Sequence, residues 1–457
     1  MLPQQSNLAT PHPPLDTSGD VNVEIINTGS ELMLGRVLNT HQQWLCRRLA
    51  DLGYTVSRQV AVADTGGDIK QAVREALSRA DLIIATGGLG PTSDDLTRDL
   101  IAQLLGKTLR EDAAIVQHIE QFFVSRKRAM PASTRVQALL PEGALVLPNP
   151  NGTAPGLAME VRPNPFRGEG KPSWLIMLPG PPRELRPMFT DSVVPLLRRV
   201  LPRELEFICH TLRTSGIGES VVQERIAGLL QHLVQRGLEL GYCARTGQVD
   251  VRFTARGNDA PRLVQEAEAI VRNELGSFIY GADDEELEAV VVQWLTEHKQ
   301  TLALAESCTG GAIAHRITNV PGASAVLLAG VVSYSNEAKQ QFLGVRAETL
   351  ATQGAVSEAV AREMAEGARQ RTGADFVLSV TGIAGPSGGT REKPVGTVFI
   401  ALAKATGTII KKNFNPYDRE TFKQVTANQA LELLRQKILA GDDRGPQVVA
   451  PPTELKP

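Results

Sequence analysis

Short apolar runs alternate with amphipathic stretches along most of the chain. The stretch VNVEIINTG, residues 21–29, predicts a strand closed by glycine. In HQQWLCRRLADLG, Trp44, Leu45, Arg48 and Leu49 fall at helical spacing and Gly53 marks the stop. YTVSRQVAVAD predicts a second strand, and DIKQAVREALSRA predicts a helix with Asp68 as its N-cap. DLIIAT, residues 81–86, is apolar throughout, as in the interior of a parallel sheet. It runs through GGLGPTSDD into the helix LTRDLIAQLLG. This β-α-β-α-β order predicts a layered α/β domain. A Pro/Gly-rich stretch follows (148–156, 163–172 and 178–182), with strands GLAMEV and SWLIML between its parts. The segment 184–200 closes the domain.

Residues 205–281 have a different rhythm. A strand-like ELEFICHTLRTSG precedes helix ESVVQERIAGLL, strand QVDVRFTARG and helix APRLVQEAEAIVRNELG, a small α+β unit. The acidic run GADDEEL, residues 281–287, marks a boundary. Beyond it, helix ELEAVVVQWLTEH leads to strand TLALAE, loop SCTGG and helix AIAHRIT. SAVLLAGVVSYS is the next strand, and NEAKQQFLG and SEAVAREMAEGARQRTG are helices. DFVLSV and VGTVFIALA are strands, separated by TGIAGPSGGTREKP, and one long helix ends the domain. The fold class is therefore α/β: two three-layer α/β domains joined by a small α+β domain.

Composition narrows the function classes. At roughly 150 residues per domain, 457 residues allow two to four domains. A net charge of -2, 4% aromatics and no basic stripe argue against nucleic acid as a partner. The cysteines, Cys46, Cys209, Cys243 and Cys308, form no CxxC pair, so neither a zinc knuckle nor a disulfide framework is expected. Reduced thiols suit a cytoplasmic protein. No apolar run approaches a membrane span, so no membrane association is expected. Residues 1–20 lack the apolar core and basic lead of a signal peptide, and both 1–20 and 442–457 read as disordered tails.

Three segments place polar residues directly after apolar strands. In open α/β sheets ligands bind outside the carboxyl ends of the strands, so these loops are expected to converge. In AESCTGG, residues 305–311, Ser307, Cys308 or Thr309 is a candidate nucleophile, and the glycine-opened helix start suits an anion or oxyanion. Taken alone, a serine there is more often a helix cap, and Cys308 more often a buried small hydrophobe. In SYSNEAK, residues 333–339, Asn336 is a plausible N-cap, which puts Lys339 in the first helical turn. The positive end of the helix disfavours an ammonium and lowers its pKa, which suits a general base. Tyr334 could relay the proton or hold an amide; the alternative is a packing tyrosine beside a solvated lysine. SVTGIAGPSGG, residues 379–389, has no GK[ST] and is not a P-loop, but its amides could cradle a phosphate or oxyanion. Arg419, at the start of the last helix, could pair with a phosphate or stay in solvent.

In the N-terminal domain, ATGGLGPTSDDLTRD, residues 85–99, places three glycines, a threonine and two acids in one strand-to-helix loop. Its amides suit a phosphate. Asp94 and Asp95 are hard oxygen donors for a divalent metal ion that bridges phosphates. The alternative is a capping role without a ligand.

With these residues in hand the chain resembles known families. TLALAESCTGG, GVVSYSNEAKQQFLGV, GAVSEAVAREMA, SVTGIAGPSGGTREKPVGTV and the Asp-Arg pair before the last helix resemble the nicotinamide-nucleotide amidases over 283–440. NTGSELMLGRVLNT, TGGLGPTSDDLT, LPNPNGTAPG and LPGPPRELRPMF resemble the N-terminal, molybdopterin-binding-like domain of the CinA (competence/damage-inducible) family over 22–198. Residues 199–281 resemble the KH-like module of that family. The segment lacks a GXXG clamp with basic flanks, so it is read as a spacer or dimer element rather than an RNA binder.

The resemblance implies five segments: tails at 1–20 and 442–457, a molybdopterin-binding-like domain at 21–198, a KH-like domain at 199–281 and an amidase domain at 282–441. It implies Ser307 as nucleophile, activated by Lys339 and Tyr334, in a domain that needs no cofactor. Substrate contacts are implied for Glu306, Cys308, Thr309, Gly310, Gly311, Asn336, Thr381, Gly382, Ala384, Gly385 and Arg419. The implied reaction converts nicotinamide mononucleotide to nicotinic acid mononucleotide and ammonia. For the N-terminal domain it implies a metal-dependent ADP-ribose pyrophosphatase, with Thr86, Gly87, Gly88, Gly90, Thr92 and Thr153 at the ligand and Asp94 and Asp95 at the metal. The competing reading is a nucleotide- or molybdopterin-binding domain without turnover, in a regulatory protein of competence or DNA damage. A homodimer is expected.

Overall fold

The computed structural model describes residues 21–202 and 207–439. Both expected tails lie outside the described residues. The chain divides into two compact units.

The first unit contains β1 (Val23–Thr28), α1 (Ser30–Met33), α2 (Thr40–Asp51), β2 (Val56–Val62), α3 (Gly66–Leu77), β3 (Leu82–Thr86) and α4 (Thr97–Leu104). They are followed by β4 (Leu109–Glu111), α5 (Ala113–Ser125), β5 (Leu139–Pro141), β6 (Leu145–Leu147), β7 (Gly156–Val161), β8 (Ser173–Leu178), α6 (Pro182–Met188) and α7 (Val194–Val200). Six strands form one sheet in the order β2-β1-β3-β8-β7-β6. The first four are mutually parallel, while β7 runs antiparallel to both β8 and β6. Successive strand residues serve opposite faces. Ile25, Ile84 and Ile176 pack with Leu45, Leu49 and Leu197 on one side. Ile26, Ile83 and Leu175 pack with Ile69, Val73 and Ile101 on the other. Two buried faces explain why β3 carries no polar alternation. The cap of α3 differs from expectation. Thr65 is the N-cap and accepts from Asp68 N at 3.2 Å, while Asp68 sits within the first turn and accepts the Thr65 hydroxyl in return. The cap lies three residues earlier because Gly66 and Gly67 still adopt the helix.

The second unit takes up the chain within β9 (Phe207–Ser215) and continues with α8 (Glu219–Val234), β10 (Glu239–Arg245), most of β11 (Gln248–Arg256), α9 (Ala260–Leu275) and β12 (Ile279–Ala282). These strands form a sheet in the order β10-β11-β9-β12. Then come α10 (Leu287–Glu297), β13 (Leu302–Glu306), α11 (Ala312–Thr318), β14 (Leu327–Val332), α12 (Asn336–Leu343), α13 (Ala347–Gln353) and α14 (Glu358–Thr372). β15 (Phe376–Gly382), β16 (Thr397–Lys404), β17 (Gly407–Phe414) and α15 (Arg419–Leu439) complete it. The sheet order is β14-β13-β15-β16-β17. β13 is parallel to β14 and β15, and β16 is antiparallel to β15 and β17. Leu302, Leu304 and Leu378 face Val291, Ile313 and Leu431. Ala303, Ala305 and Val377 face Val360, Met364 and Leu343. The fold is thus two three-layer α/β sandwiches with a small α+β segment between them in sequence. No helix among the described residues is long and apolar enough to cross a membrane.

Candidate active site

β14, β13 and β15 are neighbours and parallel, so their carboxyl ends open on one edge. Glu306 pairs in register with Val332 on one side and Val380 on the other. The next residues, Ser307, Ser333 and Thr381, therefore stand at one level, the two serines just past their strands and Thr381 still within β15. The expected convergence of the three loops is what the structure shows.

Lys339 is brought there by α12. Its N-cap is Ser335, whose hydroxyl accepts from Ala338 N at 3.1 Å, and not Asn336, which is the first helical residue. Ser and Asn cap equally well, so the composition of SYSNEAK leaves the choice to the chain's exit angle from β14. Lys339 is 1% exposed. Its Nζ donates to Ser307 Oγ at 3.0 Å and to the Ser333 carbonyl at 2.8 Å, and stands 3.5 Å from the Tyr334 carbonyl. Burial lowers its pKa. All of these partners are neutral oxygens, so no carboxylate among the described residues pairs with the amine to offset that desolvation.

Cys308 is buried and its thiol is pushed up to about 12, mainly by that burial. A thiol held protonated is a poor nucleophile, so the chemistry of this loop rests on the serine hydroxyl.

Glu306 has a different place from the one its position suggests. Its carboxylate accepts from the amides of Gly311, Ile313 and Ala314 at 3.0, 3.2 and 2.8 Å. The start of α11, expected to be open to an anion, is closed by this side chain. Gly310 N is also taken, by the Ser307 carbonyl at 3.0 Å. Glu306→Ala leaves three amides without partners and is expected to destabilise the unit by about 2–3 kcal/mol. A urea midpoint unchanged from wild type would refute this capping role.

The other candidate residues spread around the dyad. The Thr381 hydroxyl donates to the Ala355 carbonyl at 2.8 Å and so ties β15 to the loop before α14. Thr309 is fully buried, with no partner for its hydroxyl among the described residues. Gly382 lies against β16, where a Cβ would meet the Thr397 carbonyl at 2.9 Å. Ala384 packs in the core. Gly385 gives its carbonyl to Arg419 Nη1 at 2.9 Å. The Tyr334 ring is 60% exposed, and its hydroxyl accepts from Arg419 rather than from either member of the dyad. This Tyr334–Arg419 pair spans the two loops and was not foreseen.

The first unit has a cleft of about 390 Å³ at the carboxyl ends of β1 and β3. Gly87, Gly88, Gly90, Asp94, Asp95 and Thr153 line it. At Gly88 a Cβ would stand 2.1 Å from Thr97 Oγ1, so the close approach of loop to helix requires glycine. Thr86 lies inside the sheet, its hydroxyl accepting from Asn27 Nδ2 at 2.7 Å. Asp95 accepts from the Thr92 amide at 2.9 Å and from its hydroxyl, and the exposed Asp94 is held below the usual carboxylate range mainly by a hydrogen bond from Thr92. Glu31, Asp64 and Glu184 also line the cleft and were missed, because they come from segments with no acidic pattern of their own. Among the described residues no cluster of three or more His, Cys, Asp or Glu side chains is close enough to enclose a metal. One or two carboxylates fit an ion of the magnesium kind, whose remaining ligands are water and substrate phosphate.

Comparison with known proteins finds three matching segments along the chain. Residues 24–199 match a probable molybdopterin binding domain, 209–281 the damage-inducible protein CinA KH domain, and 284–438 the CinA C-terminal domain. A putative competence-damage inducible protein of Symbiobacterium thermophilum is 43% identical, over 91% of this chain and 98% of its own. A CinA-like protein of Akkermansia muciniphila is 43% identical, over 90% and 96%. A solved competence/damage inducible protein from Agrobacterium tumefaciens is 43% identical, covering 32% of this chain and 91% of that one with a TM-score of 0.32. Identity of 43% over nearly the full length of the Symbiobacterium and Akkermansia proteins, together with the three matching segments, makes the chain a member of the CinA family of competence/damage-inducible proteins.

Proposed function

We propose that the C-terminal domain is a serine amidase that converts nicotinamide mononucleotide to nicotinic acid mononucleotide and ammonia, acting in the cytoplasm. The observation that carries this reading is the 3.0 Å bond between a buried, counter-charge-free Lys339 amine and Ser307 Oγ. Burial favours the neutral amine, which takes the Ser307 proton as Oγ attacks the carboxamide carbon. The C–N bond breaks, the proton passes to the leaving nitrogen, and ammonia departs. Water then hydrolyses the resulting ester, with Lys339 again taking a proton. The Ser333 and Tyr334 carbonyls hold the amine on the serine throughout. The Tyr334–Arg419 pair, which joins two of the loops at this edge, is read as the holder of the rest of the nucleotide.

A second reading concerns the first unit. The carboxylate-lined cleft beside glycine-rich loops supports a metal-dependent hydrolase of ADP-ribose, cutting its pyrophosphate. Asp94 and Asp95 would hold the ion, which supplies charge neutralisation for the phosphates when bound. Incubation with each substrate, with and without chelator, separates the two activities. Changing Asp94 and Asp95 together to asparagine is expected to remove chelator-sensitive ADP-ribose cleavage and to leave deamidation within about twofold. Retained cleavage in that variant would exclude both residues from metal binding. Pterin that copurifies with the protein would favour a binding domain without turnover.

A further inference from the structure

Lys423 lies four residues after Arg419 on α15, so the two cations share one face of that helix. Its ammonium stands 3.6 Å from the point that a Cβ on Gly310 would occupy, and its Cε 3.9 Å. The side chain thus reaches over the loop that begins at Ser307, on a helix otherwise packed into the core. Two arginines of these elements have carboxylate partners. Arg316 pairs with Glu288 at 2.6 Å and Arg435 with Glu432 at 2.8 Å. Arg419 bonds only neutral oxygens, those of Gly385 and Tyr334, and Lys423 has no carboxylate partner among the described residues. The amides that open α15 are occupied, since Asp418 accepts from Glu420 N and Thr421 N at 3.0 and 3.1 Å. Any anion that meets this helix therefore meets its side chains. Gly310, at φ +63°, leaves the space beneath the ammonium clear.

Two cations without counter-anions, one helical turn apart and flanking the nucleophile loop, describe a site for a compact dianion. We infer that Lys423, with Arg419, holds the phosphate of the substrate, so that this domain selects ribose 5'-monophosphates over the corresponding nucleosides. The inference rests on the amidase reading of the same site and adds Lys423 as the residue that determines specificity.

The test compares kcat/KM for nicotinamide mononucleotide and for nicotinamide riboside, which lacks the phosphate, in wild-type and Lys423→Gln full-length protein. The ratio is expected to fall on the order of 10–100-fold, the worth of one charged hydrogen bond, with the loss in KM rather than kcat. Lys423→Arg should restore most of it. Inorganic phosphate should compete with the mononucleotide in wild type and less so in Lys423→Gln. An unchanged ratio, or an equal loss on both substrates, overturns the assignment. Wild-type protein that releases no ammonia from the mononucleotide would instead overturn the amidase reading itself.

Discussion

Ser307→Ala is expected to lower ammonia release from nicotinamide mononucleotide by at least about 10³-fold, because no second nucleophile is available to replace the hydroxyl. Cys308, the adjacent candidate, is buried and its thiol is pushed up to about 12. Cys308→Ala should therefore retain most activity. The serine variant loses one oxygen, and Lys339 keeps its bond to the Ser333 carbonyl at 2.8 Å, so the fold should survive with an unchanged melting temperature. An active Ser307→Ala protein together with an inactive Cys308→Ala protein would transfer the nucleophile to the thiol.

The second large effect belongs to Lys339. Lys339→Met removes the base but keeps the volume, and kcat should fall on the order of 10²–10⁴-fold. The neutral amine is the working form, so wild-type kcat/KM should rise with pH through the lowered lysine pKa and then level off. Stability carries the same signature. The folded pKa lies below the ordinary lysine value of 10.5, so the unfolded chain binds more protons between the two. The Lys339 penalty is complete below the folded pKa and disappears as pH rises through that window. Wild-type stability therefore gains from this residue as pH rises, and Lys339→Met should lack that increment in urea titrations across the same range. A methionine variant with the wild-type pH profile of kcat/KM would remove Lys339 from the chemistry.

Much of this site could be read in one dimension because strand ends and helix starts are local events. SCTGG after TLALAE, and a lysine in the first turn after SYS, fix which residues leave parallel strands together once the strands are adjacent. What could not be read depends on contacts between distant residues. Glu306 looks like a site acid at a strand end, but its partners are amides five to eight residues on, reached only after the chain reverses. Tyr334 and Arg419 meet across a separation of 85 residues. The cleft acids Glu31, Asp64 and Glu184 are likewise gathered from separate loops. Among the elements, β17 was missed because GTIIKKNF is a half-exposed edge strand, with lysines where alternation would place apolar residues. β4, β10, β12, α5 and α13 also passed unnoticed; they are short or sit in stretches of mixed polarity.

The most direct measurement is product analysis of nicotinamide mononucleotide turned over by wild-type protein in excess chelator, with Ser307→Ala in parallel. The account predicts ammonia and nicotinic acid mononucleotide in equal amounts from wild type and neither from the variant. Deamidation that stops when chelator is added, or that continues without the Ser307 hydroxyl, would contradict it.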